Sequence, residues 1–397
     1  MSQSRMMEGN EAAAYGVMLA RVQVVPAYPI TPQTELISFI AQFIAEGKMK
    51  AEYIKVEGEH TAMAAAIGAS AAGARVFTAS SSQGIVFMEE PLWMPPGMRL
   101  PINMCIVNRA LAPIGGLRPD HNDSMLQRDT GWIQLYCDNS QEVLDNIIMG
   151  YKIAENNNVY LPVATCYDGY FVSATASKVD VPRQEDVDEF LPPYKHEWYS
   201  LIPGEERMRR ERGSAAKNRY EIQQAEERAK VVIEEVDKEF GKKFGRSYGG
   251  LIEEYRLEGC EAILLTLGSL TGTAKDVIDE LQSEGKNVGL VKLKCFRPFP
   301  VEKLRGIAKG VKCIGVVDRN TSFGSAGGGI IATDLARALY DMEDRPLLAD
   351  FHVGLSGTDV TMRQCRYMAE KTLEYVQKGK ISEPVDWVEL KDLGPVM

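Results

Sequence analysis

The sequence contains no CxxC pair. Its seven cysteines (Cys105, Cys137, Cys166, Cys260, Cys295, Cys313 and Cys365) are scattered, which argues against an iron–sulfur cluster or structural zinc built by this chain. Their odd number and apolar neighbours ("NMCIV", "VKCIGVV") read as reduced thiols in a cytoplasmic protein. Histidine is scarce too. Four are present, none at metal-ligand spacing, so no metal site is expected from these residues. No apolar run reaches the roughly 18–20 residues of a membrane span, and "MSQSRMMEGNEAAAYG" lacks the apolar core of a secretory signal. Cations are outnumbered, 45 Lys and Arg against 55 Asp and Glu for a net charge of −10. That balance argues against nucleic acid as a partner.

What is present is ordinary globular composition, 45% hydrophobic and 25% charged over 397 residues, enough for two or three domains at roughly 150 residues each. Short apolar runs ("VQVVPAYP", "AEYIKVE", "RVFTAS", "PINMCIVNRA") alternate with helical patterns such as "QTELISFIAQFIAEG". This alternation predicts an α/β fold, a doubly wound parallel sheet with helices on both faces. It resumes after Cys260 in "EAILLTLGS", "NVGLVKLKCF", "KCIGVVDRN" and "PLLADFHVG", predicting a second such domain. Between them lies a densely charged stretch, read as an exposed, partly helical linker or an arm around a partner subunit. The boundaries drawn are 1–190, 191–254 for the linker, and 255–397.

Three polar loops fall at predicted carboxyl ends of strands, where open parallel sheets bind ligands. In "AYPITPQTE" the prolines fix the backbone around Thr31, which either caps the next helix or faces a ligand. "TASSSQG" offers hydroxyls around Ser82 and Gln83. In "IVNRALAP", Arg109 suits either an internal ion pair or a substrate carboxylate. Glu59 opens the Ala/Gly run "EHTAMAAAIGASAAGA". It either caps that helix or presents a carboxyl to a heterocyclic nitrogen in a cleft. "FGSAGGGIIA" fits G-x-G-x-x-A through Gly327, Gly329 and Ala332, but the preceding strand ends too early for a tight dinucleotide turn.

Together with "EGNEAAAYG", "DSMLQRDTGWIQLY", "VDRNTSFGSAGGG" and "HVGLSGTDVT", these stretches resemble the alpha-type subunit of the pyruvate:ferredoxin oxidoreductase family, the thiamine-diphosphate-dependent 2-oxoacid:acceptor oxidoreductases. The resemblance covers nearly the whole chain. It implies a pyrimidine-binding domain followed by a transketolase C-terminal-like domain. Glu59 matches the glutamate that hydrogen-bonds the cofactor's aminopyrimidine and favours its imino tautomer, and Ser82 and Gln83 fall beside the cofactor. Thr31 and Arg109 match positions contacting the substrate's oxo and carboxylate groups. The activity implied is oxidative decarboxylation of a 2-oxoacid to acyl-coenzyme A and carbon dioxide, with coenzyme A as co-substrate.

"CYDGYF" is not the GDG…N signature that holds magnesium and diphosphate. The resemblance therefore assigns thiamine diphosphate and Mg2+ mostly to a beta-type partner. The [4Fe-4S] clusters fall to a ferredoxin-like iron–sulfur subunit, and a gamma-type subunit completes the assembly. Ferredoxin or an NAD-reducing flavoprotein would accept the electrons. "ALAPIGGLRPDHND" departs from the family: Gly115 and Gly116 replace bulk, and Arg118 stands where an aromatic residue is common. Pyruvate and a bulkier branched or aryl acid such as phenylglyoxylate both stay open on this reading. So do two rivals, a catalytically silent scaffold subunit and an NAD-binding dehydrogenase acting through the Gly327 region.

Overall fold

The computed structural model of the chain describes residues 3–112, 116–197 and 214–391. Its first half carries strands β1 (Gln3–Met7), β2 (Val24–Ala27), β3 (Glu52–Lys55), β4 (Phe77–Ser80), β5 (Asn103–Asn108), β6 (Ile133–Cys137), β7 (Val163–Asp168) and β8 (Ser177–Val181). The second half adds β9 (Ile252–Tyr255), β10 (Ala262–Thr266), β11 (Val288–Leu293), β12 (Cys295–Arg297), β13 (Cys313–Asp318), β14 (Leu347–His352) and β15 (Val385–Trp387). The α/β class with parallel sheets is as the sequence predicts.

The first main sheet has the order β12-β6-β7-β5-β4, parallel except for β12. Every residue of β4, β5, β6 and β7 is buried, as strands covered by helices on both faces must be. A parallel pair, β2 and β3, extends this sheet through a bridge from Val24 to Val76. The chain thus runs from β2 outward to β3 and returns on the other side of β2 as β4. That reversal places a crevice at the carboxyl ends of β2 and β4. The second sheet, β15-β14-β13-β10-β11-β9, is parallel except for β9 and reverses between β10 and β13. β1 and β8 pair separately and antiparallel.

Two features differ from the sequence reading. The charged stretch holds a 30-residue helix, Ala215–Phe244, and it is not a solvated bridge. Ala225, Ala229, Val232, Ile233, Val236 and Phe240 recur at helical spacing and join the core of the first lobe. The run "NVGLVKLKCF" is also not one strand. It stays in the second sheet to Leu293, then crosses at Lys294 to the first sheet, where Cys295–Arg297 pairs antiparallel with β6.

A buried charge cluster holds that crossing. Lys292 Nζ lies 2.6 Å from Glu142 Oε2 and 3.0 Å from Asp138, while Lys294 Nζ reaches Glu142 Oε1 at 3.0 Å and Asn146 at 2.8 Å. Glu142 belongs to the first-lobe helix Ser140–Ala154, which starts at the Asn139 cap. Burial alone would raise the Glu142 carboxyl, but the two ammonium groups outweigh it and hold it well below its usual range. Its stabilising contribution is therefore present above about pH 4.5 and lost as the pH falls further. Glu142→Gln removes the carboxylate shared by two buried lysines, leaving Lys292 with Asp138 and Lys294 hydrogen-bonded only to Asn146 among the described residues. It is expected to cost about 3–5 kcal/mol, read from denaturant midpoints. A cost below about 1 kcal/mol would remove the cluster from any role in joining the lobes.

Candidate active site

The carboxyl edge of the first sheet gathers the chemistry-bearing residues. Glu59 is the first residue of the helix Glu59–Ala71. A carboxylate there faces the positive end of the helix dipole. It is only 6% exposed, and no hydrogen bond or ion pair joins it to another described residue. Gly84 lets it approach, since a Cβ at that position would lie 2.5 Å from Glu59 Oε1 and would strike the Ser80 hydroxyl. The hydroxyls of Ser80 and Ser81 are buried and unpaired. An unpartnered carboxylate and the unpartnered Ser80 hydroxyl beside a glycine form a cradle for a polar ring edge, because buried polar groups are otherwise satisfied.

Ser82 follows with φ +49, a backbone conformation that side-chain-bearing residues seldom adopt. Asp123 holds it there. This fully buried carboxylate accepts from Ser82 N at 2.9 Å, Arg109 N at 2.9 Å, Ser124 N at 2.8 Å and Asn108 Nδ2 at 2.8 Å. One side chain thereby ties together the ends of β4 and β5 and the loop that returns from them. Burial pushes its carboxyl up to about 7 despite those four donors. The Ser82 hydroxyl shares its single hydrogen between Ala110 O at 2.7 Å and Gln83 Oε1 at 2.6 Å, beside the half-exposed Gln83.

Arg109 and Thr31 meet across the crevice. Arg109 Nη1 donates to the Thr31 carbonyl at 3.1 Å, and its Nε is buried without an acceptor. The loop carrying Thr31 is pinned by Gln33, whose amide donates to Ala79 O and whose oxygen accepts from Ile30 N, and by Asn10, which donates to Pro32 O. Thr31 itself is exposed. Of the departure "PIGGLRP", Gly115 lies outside the described residues. Gly116 and Arg118 are exposed, and a Cβ on Gly116 would meet only Arg118 N, at 4.0 Å. Arg118 packs on the second lobe, where Gly357 leaves no room for a Cβ beside it.

The structure therefore brings Glu59, Ser82, Gln83, Thr31 and Arg109 to one edge and leaves Gly116 and Arg118 on an adjoining loop. Asp123 and Asn108 were not singled out in the sequence, whereas the Ser80 and Ser81 hydroxyls belong to the "TASSSQG" loop that was. The one signal for Asp123 was an acid opening a short helix in "HNDS". Asp168, at the end of β7, is an anchor between the lobes. It lies 2.9 Å from His121 Nε2 and 2.9 Å from Arg319 Nη1, and it accepts from Ser269 N at 2.9 Å. Burial opposes its charge, but Arg319 and His121 outweigh burial and keep it ionised far below its usual range.

The Gly327 region offers no room for a dinucleotide phosphate. Asp318 already accepts from Ile331 N and Ala332 N at the start of the helix Ile330–Leu339, and Asp350 accepts from Gly329 N. A carboxylate thus occupies the position a pyrophosphate would need.

Residues 15–241 match the family described as pyruvate flavodoxin/ferredoxin oxidoreductase, thiamine-diphosphate-binding, and residues 260–365 match pyruvate:ferredoxin oxidoreductase core domain II. The ketoisovalerate oxidoreductase subunit VorA of Pyrococcus horikoshii is 47% identical over 98% of this chain and 98% of its own. The pyruvate synthase subunit PorA of Pyrococcus furiosus is 43% identical with the same coverage. Among solved structures, the 2-oxoglutarate:ferredoxin oxidoreductase of Magnetococcus marinus with 2-oxoglutarate, coenzyme A and succinyl-coenzyme A bound superposes with a TM-score of 0.69. Its sequence is 21% identical, and the match covers 94% of this chain and 66% of that longer one.

Proposed function

Because the chain belongs to the pyruvate:ferredoxin oxidoreductase family, as the alpha-type subunit of a thiamine-diphosphate-dependent 2-oxoacid:ferredoxin oxidoreductase, we propose that its carboxyl-edge site serves the coenzyme-A-dependent oxidative decarboxylation of an aliphatic 2-oxoacid. The observation that carries this reading is Glu59, a buried carboxylate with no partner among the described residues, meeting the unpaired Ser80 hydroxyl beside Gly84. Those groups fit the polar edge of an aminopyrimidine. Thiamine diphosphate, when bound, supplies the nucleophilic carbon for the 2-oxo group and the electron sink for carboxylate loss.

The chain's own residues then have distinct tasks. Glu59 holds and returns the proton at the pyrimidine nitrogen. Ser82 and Gln83 border the ring, and Asp123 fixes Ser82 in place. Arg109 receives the substrate carboxylate, with Thr31 beside the oxo group; the unpaired Nε of Arg109 supports this. Magnesium and the diphosphate are assigned to a beta-type partner. The iron–sulfur clusters are assigned to a ferredoxin-like subunit, with a gamma-type subunit in the complex and ferredoxin as acceptor. The outer face of the Glu59 helix fits such a partner. Its exposed residues Ala64, Gly68 and Ala72 allow close backbone approach, and exposed Phe87 lies at the start of the same helix.

A branched acid is favoured over pyruvate because a relative 47% identical is named for ketoisovalerate. The test is coenzyme-A-dependent viologen reduction by the purified complex with 2-oxoisovalerate, pyruvate and phenylglyoxylate side by side. The branched acid should give the highest kcat/KM. Arg109→Ala should raise KM for that acid roughly 10–100-fold, the worth of one charge-assisted hydrogen bond, with little change in kcat. Absence of coenzyme-A-dependent reduction with all three acids rejects the reading; pyruvate preference corrects only the substrate.

A further inference from the structure

A cavity of about 680 Å³ opens at the opposite, amino edge of the first sheet, between the residues entering β6, those leaving β12, and the first half of the helix Ala215–Phe244. Its size lies within the roughly 300–1,000 Å³ of small-molecule sites. Glu226 lines it, is 8% exposed, and has a carboxyl oxygen without a hydrogen-bond partner among the described residues. The nearby cations are committed elsewhere, Arg297 to Asp334 and Lys230 to Glu227 and Glu302. Asn218, on the same wall, also has a buried oxygen without a partner. Two buried acceptors call for a ligand that donates N–H groups, since leaving them bare costs stability.

The other walls narrow the class. Trp93 and Phe299 supply apolar surface for a planar ring. Arg219 makes no ion pair with a described residue, and Arg128 is engaged only by the Met125 carbonyl and a contact to Asp129 at 3.8 Å. Arg219 precedes Glu226 by seven residues, about 10 Å along the helix, which suits the two ends of a nucleotide. We propose that this cavity binds a purine nucleotide, with N–H donors of the base on Glu226 and the phosphate on Arg219 and Arg128. Adenine would present its 6-amino group to the carboxyl and guanine its N1–H and 2-amino groups, so either base can meet these acceptors. Burial pushes the Glu226 carboxyl up to about 7, so near neutrality it also donates to the adjacent ring nitrogen of adenine.

The site is separate from the carboxyl-edge chemistry, and its test does not depend on that reading. The intact complex is titrated with AMP, GMP and adenosine, and with coenzyme A as a second source of the same nucleotide chemistry. AMP and GMP should both bind saturably. Glu226→Leu, which removes an uncompensated carboxyl and leaves the fold at least as stable by melting, should weaken AMP at least tenfold. Arg219→Ala, at an exposed position, should bring AMP down to the affinity of adenosine and leave adenosine unchanged. Displacement of AMP by coenzyme A, with a raised KM for coenzyme A in Glu226→Leu, assigns the cavity to the nucleotide end of that co-substrate. AMP binding that persists in saturating coenzyme A assigns it to a free nucleotide. Unchanged binding in Glu226→Leu, or no saturable binding of AMP, GMP or coenzyme A, overturns the proposal.

Discussion

Glu59→Gln is expected to lower turnover of the assembled complex by roughly 10²–10⁴-fold, the span attributable to one positioned acid–base group. Subunit association and melting temperature should hardly move. The expectation rests on what Glu59 does not do in the fold: its carboxylate pairs with no described residue, so an isosteric amide breaks no internal contact. Glutamine fills the same space beside Gly84 but holds no proton to exchange with a ring nitrogen. A scaffold subunit that has lost its chemistry predicts the reverse, near-normal turnover in the substituted complex. The comparison therefore separates the two readings directly, and activity within threefold of the parent would reject the catalytic one.

Asp123→Asn should produce the second large effect, about a hundredfold loss in kcat/KM, by a different route. Four N–H groups converge on this carboxylate. An amide sets one NH2 against them and leaves buried donors unsatisfied at about 1–3 kcal/mol each. Ser82 then loses the partner that holds its positive φ, and Arg109 loses its backbone tether. Affinity for the cofactor and KM for the 2-oxoacid should worsen together, although the two contacts sit on different strands. Movement of only one of them would show that Asp123 serves a single loop. The pH dependence has a definite sign. Activity should rise as the pH passes through about 7 and the carboxylate forms. Stability behaves oppositely: an acid whose folded value is raised contributes fully below its unfolded value near 3.8 and loses that contribution as the pH rises to about 7. Asp123→Asn should flatten both slopes.

The strand-end loops were legible because their cues are local. An apolar run stops, and proline, serine or arginine follows within a residue or two, so Thr31, Ser82 and Arg109 could be placed at one edge from pattern alone. Asp123 was not legible: its donors lie 41 and 15 residues upstream as well as beside it, and nothing in "HNDS" records them. The crossing at Lys294 was hidden for a related reason. "NVGLVKLKCF" reads as one strand, and what divides it is Glu142, about 150 residues earlier. The helix Ala215–Phe244 did show its stripe at Ala225, Ala229, Val232 and Val236. The small size of the alanines and the charges on the other faces masked it.

The antiparallel strand Cys295–Arg297 has a consequence for how the protein is made. Until it arrives, β6 is the outer strand of the first sheet, with its free N–H and C=O groups open to any other extended chain. Roughly 160 residues separate β6 from its partner. At about 5–20 residues per second of synthesis, the first lobe waits on the order of ten to thirty seconds with that edge uncovered. The order of translation therefore makes the first lobe, which carries the proposed catalytic edge, dependent on the second for its completion.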